Sequence, residues 1–263
     1  MRMLKVYEYA TLEEARETTG RAPISVDWVD VDKGDDARPE YRSRLVAQET
    51  KWVTSLSPED VYAVFAATPP LKALRFILSR AMTELKEDRS ADRVIAFLDI
   101  SRAHLHSPVR RPIFVKACKE DRDCPEGHCW RLLKAMYGLK DAGAAFDAKA
   151  ESTMIKLGFV VGVFSPCLCH HPETGVAVFR YGDGFVALGR RAAVHVFIKD
   201  LGSELIVKTR GILGPRRDQG DTGEIVILNR IVRWVPATSL APERIEMEAD
   251  SRHVTLGTAA WAL

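Results

Sequence analysis

VIAFLDI, residues 94–100, is an almost unbroken apolar run carrying one acid, Asp99, and VAVFRYGDGFVALG, residues 176–189, is a second apolar stretch with Asp183 near its middle. A short run that is apolar at nearly every position is the pattern of a strand buried on both faces. In the second stretch the Asp183-Gly184 dipeptide predicts a hairpin turn that folds it on itself. One acid therefore ends a strand and the other sits in a turn, and if the strands share a sheet the two carboxylates meet at its edge. Carboxylates about 4 Å apart repel by on the order of 4 kcal/mol at an effective dielectric near 20, so a cation must offset them. All-oxygen ligands favour Mg²⁺ or Mn²⁺, and two such ions roughly 3.5–4 Å apart suffice for phosphoryl transfer with little else from the protein. Each acid also has a plainer explanation, since Asp-Gly is a common turn and Asp at a strand end a common cap.

Around this pair the chain alternates strand and helix patterns. Thr68 followed by Pro69 and Pro70 starts a helix, and Leu71, Leu74, Leu78, Met82 and Leu85 recur at helical spacing, which predicts a helix over about 70–86. Ala142–Leu157 reads as another, with Phe146, Ala150, Met154 and Leu157 on one stripe and Gly158 as its C-terminal cap. FVVGVF at 159–164 predicts a strand, and a short helix is expected over about 192–201. Nearer the start, Ile24, Val26 and Trp28 alternate with polar residues, a turn follows at Lys33-Gly34-Asp35-Asp36, and the basic run YRSRLVAQ at 41–48 pairs back as a hairpin, placing Arg42 and Arg44 on one face. Residues 1–20 are mixed and charged and read as an N-terminal extension. Beyond Gly211, turns alternate with one apolar run, EIVILNRIVRWV. The order suits an α+β fold, a mostly antiparallel sheet with helices packed on one face.

The 263 residues are 46% hydrophobic, enough for a globular core. Lys plus Arg numbers 38 against 36 Asp plus Glu, so the net charge of +2 does not announce a nucleic-acid partner. No stretch approaches the run of about 18 apolar residues that spans a membrane, and the start MRMLKVYEYATLEEARE lacks an apolar signal core. A soluble intracellular protein, cytoplasmic or nuclear, is expected. Five cysteines, an odd number, argue for reduced thiols. Cys118, Cys124, His128 and Cys129, with Cys167, Cys169, His170 and His171, invite a zinc reading. Their spacings lack matched C-x₂₋₄-C pairs, and in a strand Cys167 and Cys169 face one side while His170 faces the other. Cys167 and Cys169 are better read as small buried hydrophobes, with the histidines exposed before the turn at 172–175.

Taken in order, YRSRLVAQ (41–48), LDISRAHLH (98–106), LLKAMYGLKDAGAAF (132–146) and YGDGFVALG (181–189) resemble the reverse transcriptase domain of copia-type LTR retrotransposons, over roughly Asp27 to Leu213. The resemblance implies a right-hand polymerase, with fingers and palm over 21–210 and a partial thumb or irregular segment over 211–263. It implies RNA-directed DNA polymerase activity by two-metal nucleotidyl transfer to a primer 3′ end, with Mg²⁺ or Mn²⁺ as cofactor. The partners would be an RNA template, a DNA primer, deoxynucleoside triphosphates and, elsewhere, the other domains of a Pol polyprotein.

Residue by residue, Asp99 matches the family's first metal-binding acid, with the Ile100 carbonyl beside it, and Asp183 the first acid of its Tyr-x-Asp-Asp turn. The second acid of that turn is replaced by Gly184. Even an outer-shell metal partner is worth about 10–100-fold, so the replacement should cost at least that. His104 stands where the family has an aromatic residue under the nucleotide sugar, which implies relaxed discrimination against ribonucleotides. Gly138, Leu139 and Lys140 match the motif that contacts nucleotide and template, and a glycine there would let backbone approach a phosphate or base. Arg42 and Arg44 resemble the finger residues that pair with the triphosphate, and Tyr181 the tyrosine that supports the primer end. Asp141 and Phe146 replace the family's Gln and Trp, and Asp141 would put negative charge beside the nucleic acid. Plainer readings stand next to these: a helix-entry glycine, an edge-strand charge pair, a packing tyrosine. A folded remnant that at most binds nucleic acid is the alternative to an active enzyme.

Overall fold

The computed structural model describes residues 4–34, 38–49, 70–87 and 92–248, side chains 84–87 excepted. Along the chain it runs β1 (Tyr7–Thr11), α1 (Leu12–Thr19), β2 (Val26–Asp32), β3 (Tyr41–Ala47), α2 (Leu71–Glu87), β4 (Arg93–Ile100), a 3₁₀ turn (Ala103–His106), β5 (Phe114–Val115) and β6 (His128–Leu132). There follow α3 (Ala142–Lys156), β7 (Val160–Val161), β8 (Leu168–His170), β9 (Ala177–Tyr181), β10 (Gly184–Arg190), α4 (Arg191–Glu204) and β11 (Val207–Leu213). A last group comprises β12 (Glu224–Ile227), β13 (Arg230–Val235) and β14 (Arg244–Met247). Residues 1–67 with 102–152 make one unit, and 68–101 with 153–263 make a second. The predicted helix start at Thr68-Pro69, the side chain of Leu85 and the turn residues Asp35 and Asp36 lie outside the described residues.

In the first unit the stretch read as an extension is built into the fold. β1 pairs antiparallel with β6, which also pairs β5, so residues 7–11 and 128–132 are neighbours. Thr11 Oγ1 accepts the Glu14 N–H at 3.0 Å and caps α1, which Gly20 ends in the left-handed region. Tyr7 stacks on Trp130 at 4.0 Å, and Asp121 accepts hydrogen bonds from both the Tyr7 hydroxyl and Trp130 Nε1. Trp130 joins Val6, Leu45, Ile113, Leu132, Met136 and Leu139 in the core. The β2–β3 hairpin forms as predicted, with Val31 opposite Arg42 and Val29 opposite Arg44.

The second unit is organised by β4. Its Val94, Ile95, Ala96, Phe97 and Leu98 are all buried, and a strand apolar on both faces needs cover on both. It lies inside a six-stranded antiparallel sheet of order β11-β4-β10-β9-β8-β7. Ile95 and Phe97 face α2, whose Leu74, Ile77, Leu78 and Ala81 pack with Phe179, Val186 and Leu188. Ile227, Val232 and Trp234 from the β12-β13-β14 sheet close the same cluster. The opposite face, with Ala96, Leu98, Phe185 and Ala187, is equally buried, and α4 packs against β10, β4 and β11, its Val194 lying against Gly189. Helices therefore cover both faces, not one, as the unbroken apolar pattern of β4 demands. FVVGVF yields only the two-residue β7, because the chain turns from Gly162, whose N–H reaches the Leu168 carbonyl, and Phe164 is left exposed. After Gly211 the described residues hold no α-helix but the three-stranded sheet, whose Leu228 and Asn229 both adopt positive φ, as a type I′ hairpin requires. Among the described residues no helix is long and apolar enough to cross a membrane.

The polar loop GPRRDQGD at 214–221 is tied to the sheet by charge. Arg191 donates two hydrogen bonds to Asp221, at 2.7 and 2.8 Å, and one to Asp92 at 2.8 Å, and the Arg216 N–H also reaches Asp221. Burial pushes the Asp221 carboxyl up, but the bonds from Arg191 and the Arg216 N–H, with the charges of Arg191 and Arg217, outweigh it and hold the group below its ordinary value. A depressed carboxyl stabilises the fold above its unfolded value and loses that contribution as pH falls through the folded one. Stability should accordingly drop in acid below about pH 4, and Arg191→Met, which leaves a buried carboxylate without its partner, should cost about 3–5 kcal/mol in urea unfolding at pH 7.

Candidate active site

In the second unit, Tyr181 pairs with Gly184, so the hairpin turn is Gly182-Asp183, one place earlier than the Asp-Gly dipeptide suggested. Gly182 takes φ +56° and Asp183 does not have positive φ, the pattern of a type II′ turn with glycine at its first central position. Asp183 is thereby exposed in the turn, while Gly184 is buried as the first residue of β10, directly opposite Asp99. The Ile100 N–H donates to the Asp183 carbonyl at 2.8 Å, which fastens the turn to the end of β4. Asp99, Ile100, Tyr181 and Asp183 thus share one sheet edge.

Gly184 is more than a missing acid. A Cβ at this position would overlap the Tyr181 ring and stand 2.6 Å from its hydroxyl oxygen, so the ring lies where a side chain at 184 would start. The ring stacks on Phe179 at 5.5 Å. Burial pushes the Tyr181 phenol up to about 12, the charges of Asp183 and Asp99 add to the rise, and Arg210 opposes it. Both carboxylates therefore act on one hydroxyl.

Arg210 itself is absent from the set expected on sequence grounds. It stands where β11 slips register against β4 between Thr209 and Gly211, and its Nη2 donates to Asp99 Oδ2 at 3.0 Å. Lys208 lies opposite Asp99 in the same pairing. The signal available in the sequence was the Lys208-x-Arg210 spacing, but only the pairing of β11 with β4 puts these residues beside the acid. As a metal site the edge offers two carboxylates and the Ile100 carbonyl, with no ligand from Gly184 and with Asp99 already in an ion pair. Among the described residues no group of three or more His, Cys, Asp or Glu gathers to hold an ion. This donor set suits one ion, not two. Of the cysteines, Cys129 and Cys169 are fully buried, and burial pushes the Cys129 thiol to about 11, so it stays protonated and apolar in character.

The remaining expected residues lie in the first unit. The Arg44 guanidinium sits 5.3 Å above the Tyr137 ring, and the His104 ring lies 4.8 Å from the same tyrosine. Arg42 is exposed further along the face that carries Arg44. Gly138 has φ +87°, and a Cβ there would overlap the Ala47 carbonyl and Val46. Its glycine is demanded by the close approach of the chain's own β3, which the Ala47 N–H seals with a 2.8 Å bond to the Tyr137 carbonyl. The Lys140 backbone N–H donates to Glu49 at 2.9 Å. The Glu49 side chain is only 1% exposed and accepts Arg111 on both oxygens at 2.8 Å. Arg111 also pairs with Asp141 at 3.4 Å. Asp141 is therefore buried and compensated inside the protein, where the sequence suggested charge turned toward nucleic acid. Glu49 and Arg111 were not expected, since neither stands in a recognisable pattern.

The shared edge makes a spectroscopic prediction. Phenolate absorbance attributed to Tyr181, by difference from Tyr181→Phe, should appear near pH 12; Arg210→Ala should move it higher and Asp99→Asn lower.

Residues 9–201 match the family described as reverse transcriptase (RNA-dependent DNA polymerase). No curated protein matches the sequence. Among solved structures, apo telomerase from Candida tropicalis truncated from its C-terminal domain aligns with TM-score 0.47 and 9% identity over 94% of this chain and 58% of that one. Apo telomerase from Candida tropicalis aligns with TM-score 0.49 and 11% identity over 87% of this chain and 49% of that one. Telomerase from Candida albicans, in complex with a TWJ fragment of telomeric RNA, aligns with TM-score 0.48 and 8% identity over 88% of this chain and 47% of that one. The chain spans about half the length of these structures.

Proposed function

The chain belongs to the reverse transcriptase (RNA-dependent DNA polymerase) family, and from that premise we propose that it is the polymerase part of a copia-type retrotransposon Pol polyprotein with a reduced catalytic centre. Its substrates are an RNA template, a DNA primer and deoxynucleoside triphosphates, and its reaction is nucleotide addition to the primer 3′ end. The observation that carries the reading is the Ile100 N–H bond to the Asp183 carbonyl, which keeps the turn acid beside the strand that carries Asp99. Asp99 and Asp183, with the Ile100 carbonyl, would hold one Mg²⁺ or Mn²⁺, whose chemistry is to activate the 3′ oxygen and neutralise the leaving pyrophosphate.

Within the chain, Asp99 and Asp183 supply the negative charge that draws the ion, and Tyr181 presents a neutral hydroxyl at the same edge. In the first unit, Arg42 and Arg44 offer planar guanidinium groups for triphosphate oxygens. Tyr137 orients Arg44 through its ring face. The Glu49 bond to the Lys140 N–H fixes the Gly138-Leu139-Lys140 segment. A second reading, a folded remnant that binds nucleic acid without chemistry, draws on the Tyr181 ring over Gly184 and the Arg210 pairing with Asp99.

Primer extension on an RNA template with Mg²⁺ or Mn²⁺ separates the two. The expected result is slow extension that Asp99→Asn abolishes and that Gly184→Asp, for which the Tyr181 ring must swing off the position a Cβ would take, raises about 10-fold or more. No extension from either protein, with an RNA–DNA hybrid still bound in fluorescence anisotropy, would leave the remnant reading standing alone.

A further inference from the structure

We propose that Arg210 is a built-in counter-cation of the catalytic edge, so that a divalent ion reaches Asp99 only by displacing its guanidinium. The inference rests on the reading of Asp99 as a metal-binding acid. Three observations support it. Arg210 Nη2 stands 3.0 Å from Asp99 Oδ2, on a carboxylate whose side chain is only 26% exposed. Arg210 is the extra residue of the β11 register shift, between Thr209 opposite Leu98 and Gly211 opposite Phe97, and from there its side chain reaches along the strand to Asp99. And Lys208, opposite Asp99 in the ladder, keeps a second positive charge at the same end of β11.

Elementary electrostatics gives the consequence. Two carboxylates brought to one edge without an ion repel each other, and a cation relieves them whether it is a metal or a side chain. Where three acids gather, a single guanidinium cannot balance the charge and the ion is needed. Here Gly184 removes one acid and the Tyr181 ring fills the space where its side chain would begin. Asp99, paired with Arg210 and opposite Lys208, is balanced by the protein alone. The edge is thereby folded and quiet without metal, and ion binding is a competition between Mg²⁺ or Mn²⁺ and the chain's own arginine. A half-exposed ion pair is weak, so the competition is winnable at raised metal concentration.

The test is Mn²⁺ binding to the full chain, followed by loss of the free Mn²⁺ electron paramagnetic resonance signal, which needs no catalysis. Arg210→Gln should tighten binding roughly tenfold, the order expected when one ion pair and one like-charge repulsion are removed. Arg210→Lys, which keeps the charge, should stay close to the unaltered protein. Asp99→Asn added to Arg210→Gln should abolish the gain and so assign it to this edge. Equal or weaker Mn²⁺ binding by Arg210→Gln, or a gain that survives Asp99→Asn, overturns the proposal. Affinity for an RNA–DNA hybrid, measured on the same proteins by anisotropy in metal-free buffer, reports separately on the polymerase reading: its absence would count against that reading whatever the Mn²⁺ titration gives.

Discussion

The antiparallel pairing of β4 with β10 is the constraint from which the second unit follows. Each strand is apolar on both faces, so each must be central, and central strands need partners on both edges and cover above and below. β11 and β9 supply the edges, α2 with the small C-terminal sheet covers one face, and α4 lies on the other. The pairing also sets chemistry, because the register that buries Phe97 against Val186 necessarily brings Asp99 opposite Gly184. A slip of one residue would send Asp99 to the other face and bring Leu98 into its place.

At the end of that ladder the sheet stops and charge begins. Asp99 is the last polar position before the chain leaves β4, and the II′ turn leaves Asp183 next to it through a single backbone hydrogen bond. What distinguishes this edge is the manner in which it is balanced. An aromatic ring takes the room beside the glycine, and an arginine of the neighbouring strand takes one carboxylate. Both lie at the polar end of an apolar sheet, and both bear on how readily an ion enters.

The first unit solves a parallel problem with different parts. The Gly138-Leu139-Lys140 segment comes so close to β3 that no side chain fits at 138, and the Lys140 N–H, turned away from any strand, is satisfied by a buried carboxylate. Glu49 can be buried because Arg111 meets both of its oxygens, and Arg111 in turn compensates Asp141. Charged residues at 49 and 141 thus form an internal network around the segment.

How much of this was legible depended on whether the cause was local. Period-two and period-3.6 patterns, the proline pair before α2 and the glycine-rich hairpin act over a few residues, so the strands VIAFLDI and VAVFRYGDGFVALG and the helices near 70–86, 142–157 and 192–201 could be read directly. β1 and β6 carry few apolar residues and draw their stability from pairing across more than a hundred positions, so no local pattern marks them. The turn lies one residue earlier than the Asp-Gly dipeptide predicts, since that dipeptide is a turn signal wherever it occurs and only the ladder register decides which pair turns. Arg210, Glu49 and Arg111 were invisible for the same reason: their partners, Asp99, Lys140 and Asp141, are distant in the chain, and a salt bridge or a bulge leaves no mark in local sequence. Local sequence was enough for the strand and helix segments and for the order of the family's motifs. Which charges face one another is set by register and packing, not by periodicity, and so emerges only in the folded chain.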